Sequence, residues 1–415
     1  MSDSKLPLAG VKVMDFSWAV VGNTCAKMLG DLGADMLKIE NPGRASLERM
    51  SRPVKNVPVA PPNDNPWFAN LATSKFSLTL DMRNPASREV VDAIIDWADL
   101  VLENFSPGTM DKLGVGWDAL RARKPSIIMA SGSIFGQTGP LGSLGGSEVS
   151  GSAWSGRVFM TGEADRPPNL PGLTYGDSVT PFLLATAVIA ALENRDRTGE
   201  GCRIDAAMVE ALGQQMLPYI LEAQHRRDAG EDERLPRTGN RSPRMSPHGV
   251  FPASGEDMWI AIAVETDAQF ASLCQMMDRP ELARDERFAT LAARKANEDE
   301  LEAIVADYTR VRDRYDTMME LQAAGVPAGA VQHIADVMDR DPQIAHRRHF
   351  RPVEHKVIGT FDHERTPVEL TKTPGRMFPA PGLGEHTEMI CREMLGFSAG
   401  DFERLREQGV FGKVD

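Results

Sequence analysis

Short apolar segments alternate with amphipathic segments along the first third of the chain. Residues 11–16 and 35–40 are rich in β-formers, and residues 23–32 between them place apolar side chains at helical spacing. This pattern predicts a strand, a helix and a second strand, the repeating unit of a parallel sheet. The same alternation predicts strands at 76–80, 99–103 and 126–130 and helices at 85–98 and 117–123. The chain is therefore predicted to have an α/β fold.

The pattern changes twice further along the chain. Residues 132–156 are rich in Gly and Ser and lack periodic apolar positions, and a segment of this length without regular structure is usually functional. Residues 225–244 are highly charged and interrupted by Gly and Pro, which is typical of a linker. A strong strand at 258–263 follows, with helical patterns after it. We expect residues 1–224 in a large α/β domain, 225–330 in a linker and small α+β domain, and 331–415 in a return to the large domain.

The charge balance and the cysteines exclude several classes of protein. The chain of 415 residues has 46 Lys and Arg against 59 Asp and Glu, a formal net charge of −13, which argues against nucleic-acid and anionic-membrane partners. Its four cysteines form no CxxC pair, so neither a metal site nor a disulfide framework is expected. The start lacks signal-peptide features, and the longest apolar run, residues 179–192, is shorter than the ~20 residues of a membrane span. We expect a soluble cytoplasmic protein.

Three common catalytic fingerprints are missing from the sequence. It has no GxGxxG, GxxxxGK[ST] or HExxH motif. Nicotinamide binding, P-loop phosphoryl transfer and zinc proteolysis therefore lack their usual signatures.

A carboxylate at the start of a long apolar helix is the most suggestive local feature. Gly176 would let the backbone approach a ligand closely, Asp177 would lie at or beside the N-cap, and Pro181 would fall in the first turn. The helix dipole favours the ionised carboxylate, which can act as a covalent nucleophile when it faces a cleft. A plain N-cap, worth about 1 kcal/mol, explains the same residues.

Ten short segments, in order, resemble motifs of the class III CoA-transferases. They are residues 10–16, 30–40, 77–83, 103–108, 135–140, 161–163, 176–177, 197–201, 324–329 and 380–387. Each motif is weak alone, but the ordered set is highly specific. The resemblance implies a large Rossmann-like parallel-sheet domain built from both chain ends, a smaller α+β domain, and a ring-like subunit in an interlocked dimer.

The resemblance also implies a mechanism. Asp177 would attack an acyl-CoA to give an aspartyl–acyl anhydride and then an aspartyl-CoA thioester, from which an acceptor acid would take the CoA. CoA and acyl-CoA would be substrates, and no tightly bound cofactor is expected. Glu148 matches a site carboxylate near the nucleophile, and two nearby carboxylates would raise one pKa and could assist the handling of the proton or the anhydride. A solvated loop Glu remains the alternative for this residue.

The family's CoA-contacting positions can be carried over one by one. They fall on Ala19, Val20, Val21, Leu80, Arg83, Asn104, Phe105 and Lys112. The turn at 19–21 would contact CoA through its backbone, Asn104 would bond the pantetheine amide, and Phe105 would cover it. Arg83 and Lys112 would lie near the adenine and the phosphates. The structural alternatives are an ordinary βα turn, a buried Asn with a core Phe, and solvated surface charges.

The sequence says less about the acceptor acid and about the loop that covers the site in this family. Residues 134–137 and 165–168 look most like members that use succinyl-CoA with an aryl- or alkyl-succinate, as in succinyl-CoA:benzylsuccinate CoA-transferases. Trp154, Phe159 and Met160 either line an apolar acceptor pocket or belong to the core. Residues 238–249 lack the consecutive glycines of the family's lid, and their Arg241 and Arg244 are candidates to meet an acidic substrate.

Two other functions compete with transferase activity. The racemases of the same fold need a His–Asp pair, with the His ahead of the nucleophile position, but all eight histidines lie at or after position 225. A non-catalytic CoA-binding subunit of a heteromeric transferase is the second alternative, and Asp177 argues against it. The expected assembly is an interlocked homodimer, with a heteromer of related subunits as the alternative.

Overall fold

The computed structural model describes residues 6–51 and 62–412. The chain divides into two compact units. The first comprises Met1–Val158, Leu170–Asp228 and His346–Asp415, and the second comprises Phe159–Asn169 and Ala229–Ala345. The first unit thus takes in both ends of the chain. Residues 331–345, which the sequence analysis assigned to the large domain, group with the second unit.

A six-stranded parallel sheet forms the centre of the first unit, in the order β3-β2-β1-β4-β5-β6. Its strands are β1 (Lys12–Asp15), β2 (Asp35–Glu40), β3 (Lys75–Thr79), β4 (Leu100–Glu103), β5 (Ile128–Ser133) and β6 (Arg203–Ala207). The predicted α/β class with a parallel sheet is therefore confirmed.

The described residues form a series of α-helices. They are α1 (Val21–Asp31), α2 (Leu47–Met50), α3 (Pro66–Leu71), α4 (Ser87–Trp97), α5 (Thr109–Lys112), α6 (Trp117–Arg123), α7 (Glu148–Trp154), α8 (Arg157–Met160), α9 (Tyr175–Thr198), α10 (Met208–Gln215), α11 (Leu217–Asp228), α12 (Asp267–Met276), α13 (Leu291–Ala296), α14 (Glu298–Thr309), α15 (Arg314–Ala323), α16 (Ile334–Asp339), α17 (Pro342–Arg347), α18 (Thr387–Met389) and α19 (Ala399–Glu407). Residues 132–156 were expected to lack regular structure, but α7 forms within them.

Both faces of the parallel sheet are buried. Successive strand residues alternate between the faces, so Val101 of β4 joins one core cluster while Leu100 and Leu102 join the other. Helix α4 covers the first face, and α1 and α9 cover the second. Because both faces are covered, strands such as β4 and β5 contain short continuous apolar runs, which made them visible in the sequence.

Helix α9 begins earlier than the sequence pattern indicated. Its N-cap is Thr174, so Asp177 is its third residue, and Pro181 lies inside the helix instead of in the first turn. With 24 residues it is long and apolar enough to span a membrane by length and composition alone, a test that core helices also pass. One side of it, including Leu184 and Val188, packs into the core.

The second unit is a separate α+β structure. Strands β7 (His248–Pro252), β8 (Trp259–Ala263) and β9 (Ala328–Val331) form an antiparallel sheet in that order. Its core joins this sheet to residues of α12, α14 and α15. In the first unit, the C-terminal part adds a hairpin of β10 (Phe350–His355) and β11 (Gly359–Glu364).

Candidate active site

A cavity of about 430 Å³ lies in the first unit at the carboxyl ends of β1, β4 and β5. Ligands of open α/β sheets bind in this crevice, at the point where the strand order reverses, here between β1 and β4. The residues that line it are Trp18, Ala19, Val20, Val21, Leu47, Trp67, Asn104, Phe105, Ser106, Pro107, Gly132, Ser133, Ile134, Leu144, Gly145, Gly146, Ser147, Glu148, Thr174, Asp177 and Met208. Chain segments far apart in sequence thus meet around one space.

Most of the predicted site residues meet in this cavity, but three do not. Both carboxylates, the 19–21 turn, Asn104 and Phe105 all line it. Leu80 is fully buried in the core beside the sheet, so its side chain has no surface to offer a ligand. Arg83 and Lys112 are exposed and lie outside the cavity lining.

The residues considered for the acceptor lie elsewhere. Trp154 and Phe159 are 62% and 49% exposed and, like Met160, do not line the cavity. Trp154 instead packs edge-on against Phe135, with ring centroids 5.8 Å apart. In the second unit, Arg241 is bonded to carboxylates of its own chain, including Glu302. Phe159, Met160 and Arg241 belong to the second unit, whereas the carboxylates of the cavity belong to the first.

Asp177 lies in the first turn of α9, partly buried at the cavity. The pKa of its carboxyl group is raised from 3.8 to about 6, chiefly by burial and also by the negative charge of Glu148, while a hydrogen bond with Thr174 opposes the shift. A carboxylate with this pKa is still ionised at neutral pH, and it is less stabilised by solvent than a surface Asp. It therefore combines negative charge with access to a cavity.

Glu148 is buried, so the solvated-loop alternative for it is wrong. As the first residue of α7, it accepts hydrogen bonds from the Ser152 hydroxyl and, at 3.2 Å, from the Gly176 N–H. The second bond ties it to the residue that precedes Asp177. Glu148 thereby fixes the start of α9 and places a second negative charge near the first.

Gly176 is needed for helix packing, whereas the sequence analysis expected it to admit a ligand. A Cβ at this position would lie 2.6 Å from the Met208 Sδ and 3.2 Å from a Leu212 methyl. Both neighbours are buried residues of α10. The space beside Gly176 is thus already filled by the protein.

We expect Gly176→Ala to lower the free energy of unfolding by about 1–3 kcal/mol, because Met208 must shift, and to lower the rate by displacing Asp177. Chemical denaturation and a transferase assay measure the two effects. Gly213→Ala is the matched control, because nothing lies within 4 Å of its added Cβ, and we expect it to stabilise α10 by about 0.5–1 kcal/mol. Equal behaviour of the two variants would contradict this packing role.

Asn104 holds the first βα turn. Its Oδ1 accepts from the Trp18 N–H at 2.8 Å, and its Nδ2 donates to the Trp18 carbonyl at 2.9 Å. Its amide is therefore engaged with the backbone of the turn. Phe105 is half-buried and packs against the core, where its ring lies 6.3 Å from that of Phe16. Both residues are half-buried, make these structural contacts and also line the cavity wall.

Sequence reasoning missed a cluster of buried charges behind the same turn. Lys38, Glu48 and Lys75 are at most 1% exposed, and they surround the side chain of Asn23. The signal available in the sequence was a lysine within β2 and another at the start of β3. Among the residues that the structure describes, no group of three or more His, Cys, Asp or Glu is arranged to hold a metal ion.

Comparisons with known proteins agree with the motifs. The sequence model of CoA-transferase family III matches residues 8–387. Succinyl-CoA–D-citramalate CoA-transferase of Chloroflexus aurantiacus is 33% identical over 412 residues, which cover 97% of this chain and 98% of that enzyme. The β subunit of succinyl-CoA–L-malate CoA-transferase from the same organism is 32% identical over 413 residues, 98% of each chain. A crystal structure of a CaiB/BaiF family protein from Brucella suis superimposes with a TM-score of 0.82 at 32% identity, covering 94% of this chain and 100% of that one.

Proposed function

Because the chain belongs to CoA-transferase family III, we propose that Asp177 moves CoA from an acyl-CoA donor to a carboxylic acid through intermediates on its own carboxylate. The observation that carries the proposal is a partly buried carboxylate with a pKa of about 6 in a cavity at the switch point of the sheet. A nucleophile of this kind splits one difficult exchange into easier steps.

In the first half of the proposed reaction, the Asp177 carboxylate attacks the thioester carbonyl, and the C–S bond breaks. This step gives an aspartyl–acyl anhydride and the CoA thiolate. The thiolate attacks the aspartyl carbonyl, a C–O bond of the anhydride breaks, and the donor acid leaves as a carboxylate. An acceptor carboxylate then runs the same steps in reverse and regenerates Asp177. Since one thioester replaces another, no ATP is required.

Backbone N–H groups are available for the oxygen that becomes negative in these steps. The first turn of α1 has N–H groups with no partner inside the helix, and the helix has neither an acidic residue there nor a side-chain cap. Val20 and Val21, at the start of this turn, line the cavity. Donors fixed in place before the reaction stabilise such an oxyanion without reorganisation.

Trapping the intermediate tests the proposal. The protein is incubated with succinyl-CoA, treated with hydroxylamine or borohydride, digested and examined by mass spectrometry. We expect the modification on the peptide that contains Asp177, and none when acyl-CoA is omitted. Turnover without any modification at Asp177 would contradict the mechanism. An unmodified and inactive protein would instead favour a non-catalytic CoA-binding subunit, an alternative prompted by the relative that is named as a β subunit.

The donor and the compartment are part of the proposal. Succinyl-CoA is the proposed donor because it appears in the names of both transferases compared above. A screen of carboxylic acids against succinyl-CoA identifies the acceptor.

The four cysteines are free thiols in the structure, which supports a reducing, cytoplasmic setting.

An unpartnered apolar surface supports the proposed interlocked dimer. The outer side of α9 exposes Phe182, Leu183 and Ile189 at about 40% each. Helix α11 has no buried residue and exposes four large apolar side chains, among them Leu217 and Leu221. Exposed apolar side chains clustered on two helices mark an interface that another chain covers.

We expect Ile189→Asp to reduce the dimer fraction in light scattering and to lower the unfolding temperature, because it places a charge in the proposed interface. Glu193→Gln, an exposed change on the same helix, is the control and should leave both unchanged. A dimer with unaltered stability in Ile189→Asp would place the interface elsewhere.

A further inference from the structure

The backbone of the turn that follows β1 is held in an uncommon conformation. Ala19 has φ = +52°, the left-handed region that residues with a Cβ rarely adopt. Both of its peptide groups are bound by buried side chains. Its N–H donates to the Glu48 Oε2 at 3.0 Å, and its carbonyl accepts from the Asn23 Nδ2 at 2.9 Å. Such strain persists only where the surroundings impose it, and it gathers at functional sites.

Asn23 is the centre of the hydrogen bonds behind the turn. Its Nδ2 also donates to the Glu48 Oε1 at 2.8 Å, which joins the two side chains that hold Ala19. Its Oδ1 accepts from the ammonium groups of Lys38 at 3.0 Å and Lys75 at 2.8 Å. Lys75 in turn lies 3.3 Å from the Asp15 carboxylate. Two buried cations thus face two buried anions, and the hydrogen bonds that join them through Asn23 make this network rigid.

The turn held by this network forms one wall of the cavity. Ala19, Val20 and Val21 line it, and α1 begins at Val21. The conformation of Ala19 therefore fixes the direction in which the first N–H groups of α1 meet the cavity. None of the buried groups needs to touch a substrate in order to control this wall.

We propose that Glu48 and Asn23 are positioning residues, which hold Ala19 in its left-handed conformation so that the turn is preformed for the acyl-CoA thioester. The inference rests on the proposed function of the cavity. In this proposal the buried charges contribute to the affinity for the substrate as well as to the stability of the fold. A preformed site binds more tightly because less ordering remains to be done on binding.

The charge of Lys75 adds a pH dependence. Burial lowers the pKa of Lys75 from 10.5 to about 8, while the charge of Asp15 opposes this shift. The other charged or titratable groups that act with Lys75 are Lys38 of β2, Glu48 of α2, and Cys25 and Asp31 of α1. As the pH rises through about 8, Lys75 loses its proton and Asp15 its counter-charge. We expect the KM for acyl-CoA to rise above this pH, with kcat less affected.

A double-mutant cycle tests the proposal. We expect Glu48→Gln to raise the KM for acyl-CoA by about tenfold with a smaller change in kcat, because the turn is no longer held. In an Ala19→Gly background, where a positive φ carries no steric cost, the same change should raise KM by less than about threefold. Equal effects of Glu48→Gln in the two backgrounds would overturn the proposal.

Glu40→Gln is the structural control for this cycle. Glu40 is buried nearby and pairs with Arg49 and Ser77, without contact to the turn. We expect it to lower the unfolding temperature and to leave KM unchanged. If it raises KM as much as Glu48→Gln does, affinity merely follows stability and the proposal fails.

Two further measurements keep the outcome decisive. If Glu48→Gln does not fold, Asn23→Ser replaces it in the cycle, because Asn23 holds the carbonyl of Ala19, and equal effects on KM in the two backgrounds contradict the proposal. Calorimetry with CoA measures affinity without turnover. It therefore separates a failure of the proposed transferase function from a failure of the positioning role of Glu48 and Asn23. A protein that binds CoA without transferring it refutes the proposed function, whereas full transfer with no coupling between positions 19 and 48 refutes only this inference.

Discussion

Replacing Asp177 with asparagine is expected to abolish CoA transfer, with kcat lower by about 10³-fold or more. The amide keeps the shape of the side chain but cannot form the anhydride. The fold should not suffer. Because the pKa of Asp177 is raised to about 6, its contribution to stability is present below about pH 4 and lost as the pH rises through 6. At pH 7.5 the ionised carboxylate is therefore destabilising, and asparagine removes that cost.

A transferase assay and thermal unfolding check this prediction together. Glu193→Gln, an acid-to-amide change at the exposed end of the same helix, should leave the rate at the wild-type level. CoA affinity should also persist in Asp177→Asn, since the turn at 19–21 is untouched. Near-normal turnover in this variant would exclude Asp177 as the nucleophile, and loss of the folded state would show that its role is structural.

Transfer is also expected to decline tenfold for each pH unit below about 6, because only the ionised Asp177 attacks the thioester. An ordinary Asp would hold its rate down to about pH 4. The pH profile of kcat/KM between 4.5 and 7.5 measures the midpoint. The shift has two causes, burial first and the charge of Glu148 second, and they can be separated.

Glu148→Gln separates them by removing the neighbouring charge while keeping an oxygen that can accept from the Gly176 N–H. We expect the acidic midpoint to move down by less than one unit, because burial remains. A profile with its midpoint near 4 in the unmodified protein would show that Asp177 is fully solvated in the working enzyme. A midpoint unchanged by Glu148→Gln would show that the two carboxylates do not interact.

Local patterns were sufficient for the sheet but not for the contacts around the cavity. β1, α1 and β2 lie within two residues of their predicted bounds, because their apolar periodicity depends only on neighbours in sequence. Asp177 was predicted from the local pattern at the start of α9 as well as from a family motif, and Glu148 from the family resemblance alone, and both line the cavity. The role of Gly176 was predicted wrongly, since Met208 approaches it from a different helix.

Other wrong or missed predictions also concern contacts between residues that are far apart in the sequence. Leu80 lies in a family motif and was expected to contact CoA, but its side chain is buried in the core. The residues around Leu80 in the sequence do not show whether it faces the core or the cavity. The pairing of Lys75 with Asp15 joins the third strand to the first. Strand order creates that contact, and strand order is a property of the tertiary structure. The lysines within the strands were visible, but their partners were not.

The division of the first unit among separated parts of the chain has a consequence for its biosynthesis. Ile390, Phe402 and Leu405, near the end of the chain, pack in the same core cluster as Met14 and Leu37 from its beginning. A nascent chain therefore cannot complete this core until residues 390–405 have left the ribosome. Until then the apolar face under α4 remains open to chaperones, and a truncation before residue 390 removes part of the core itself.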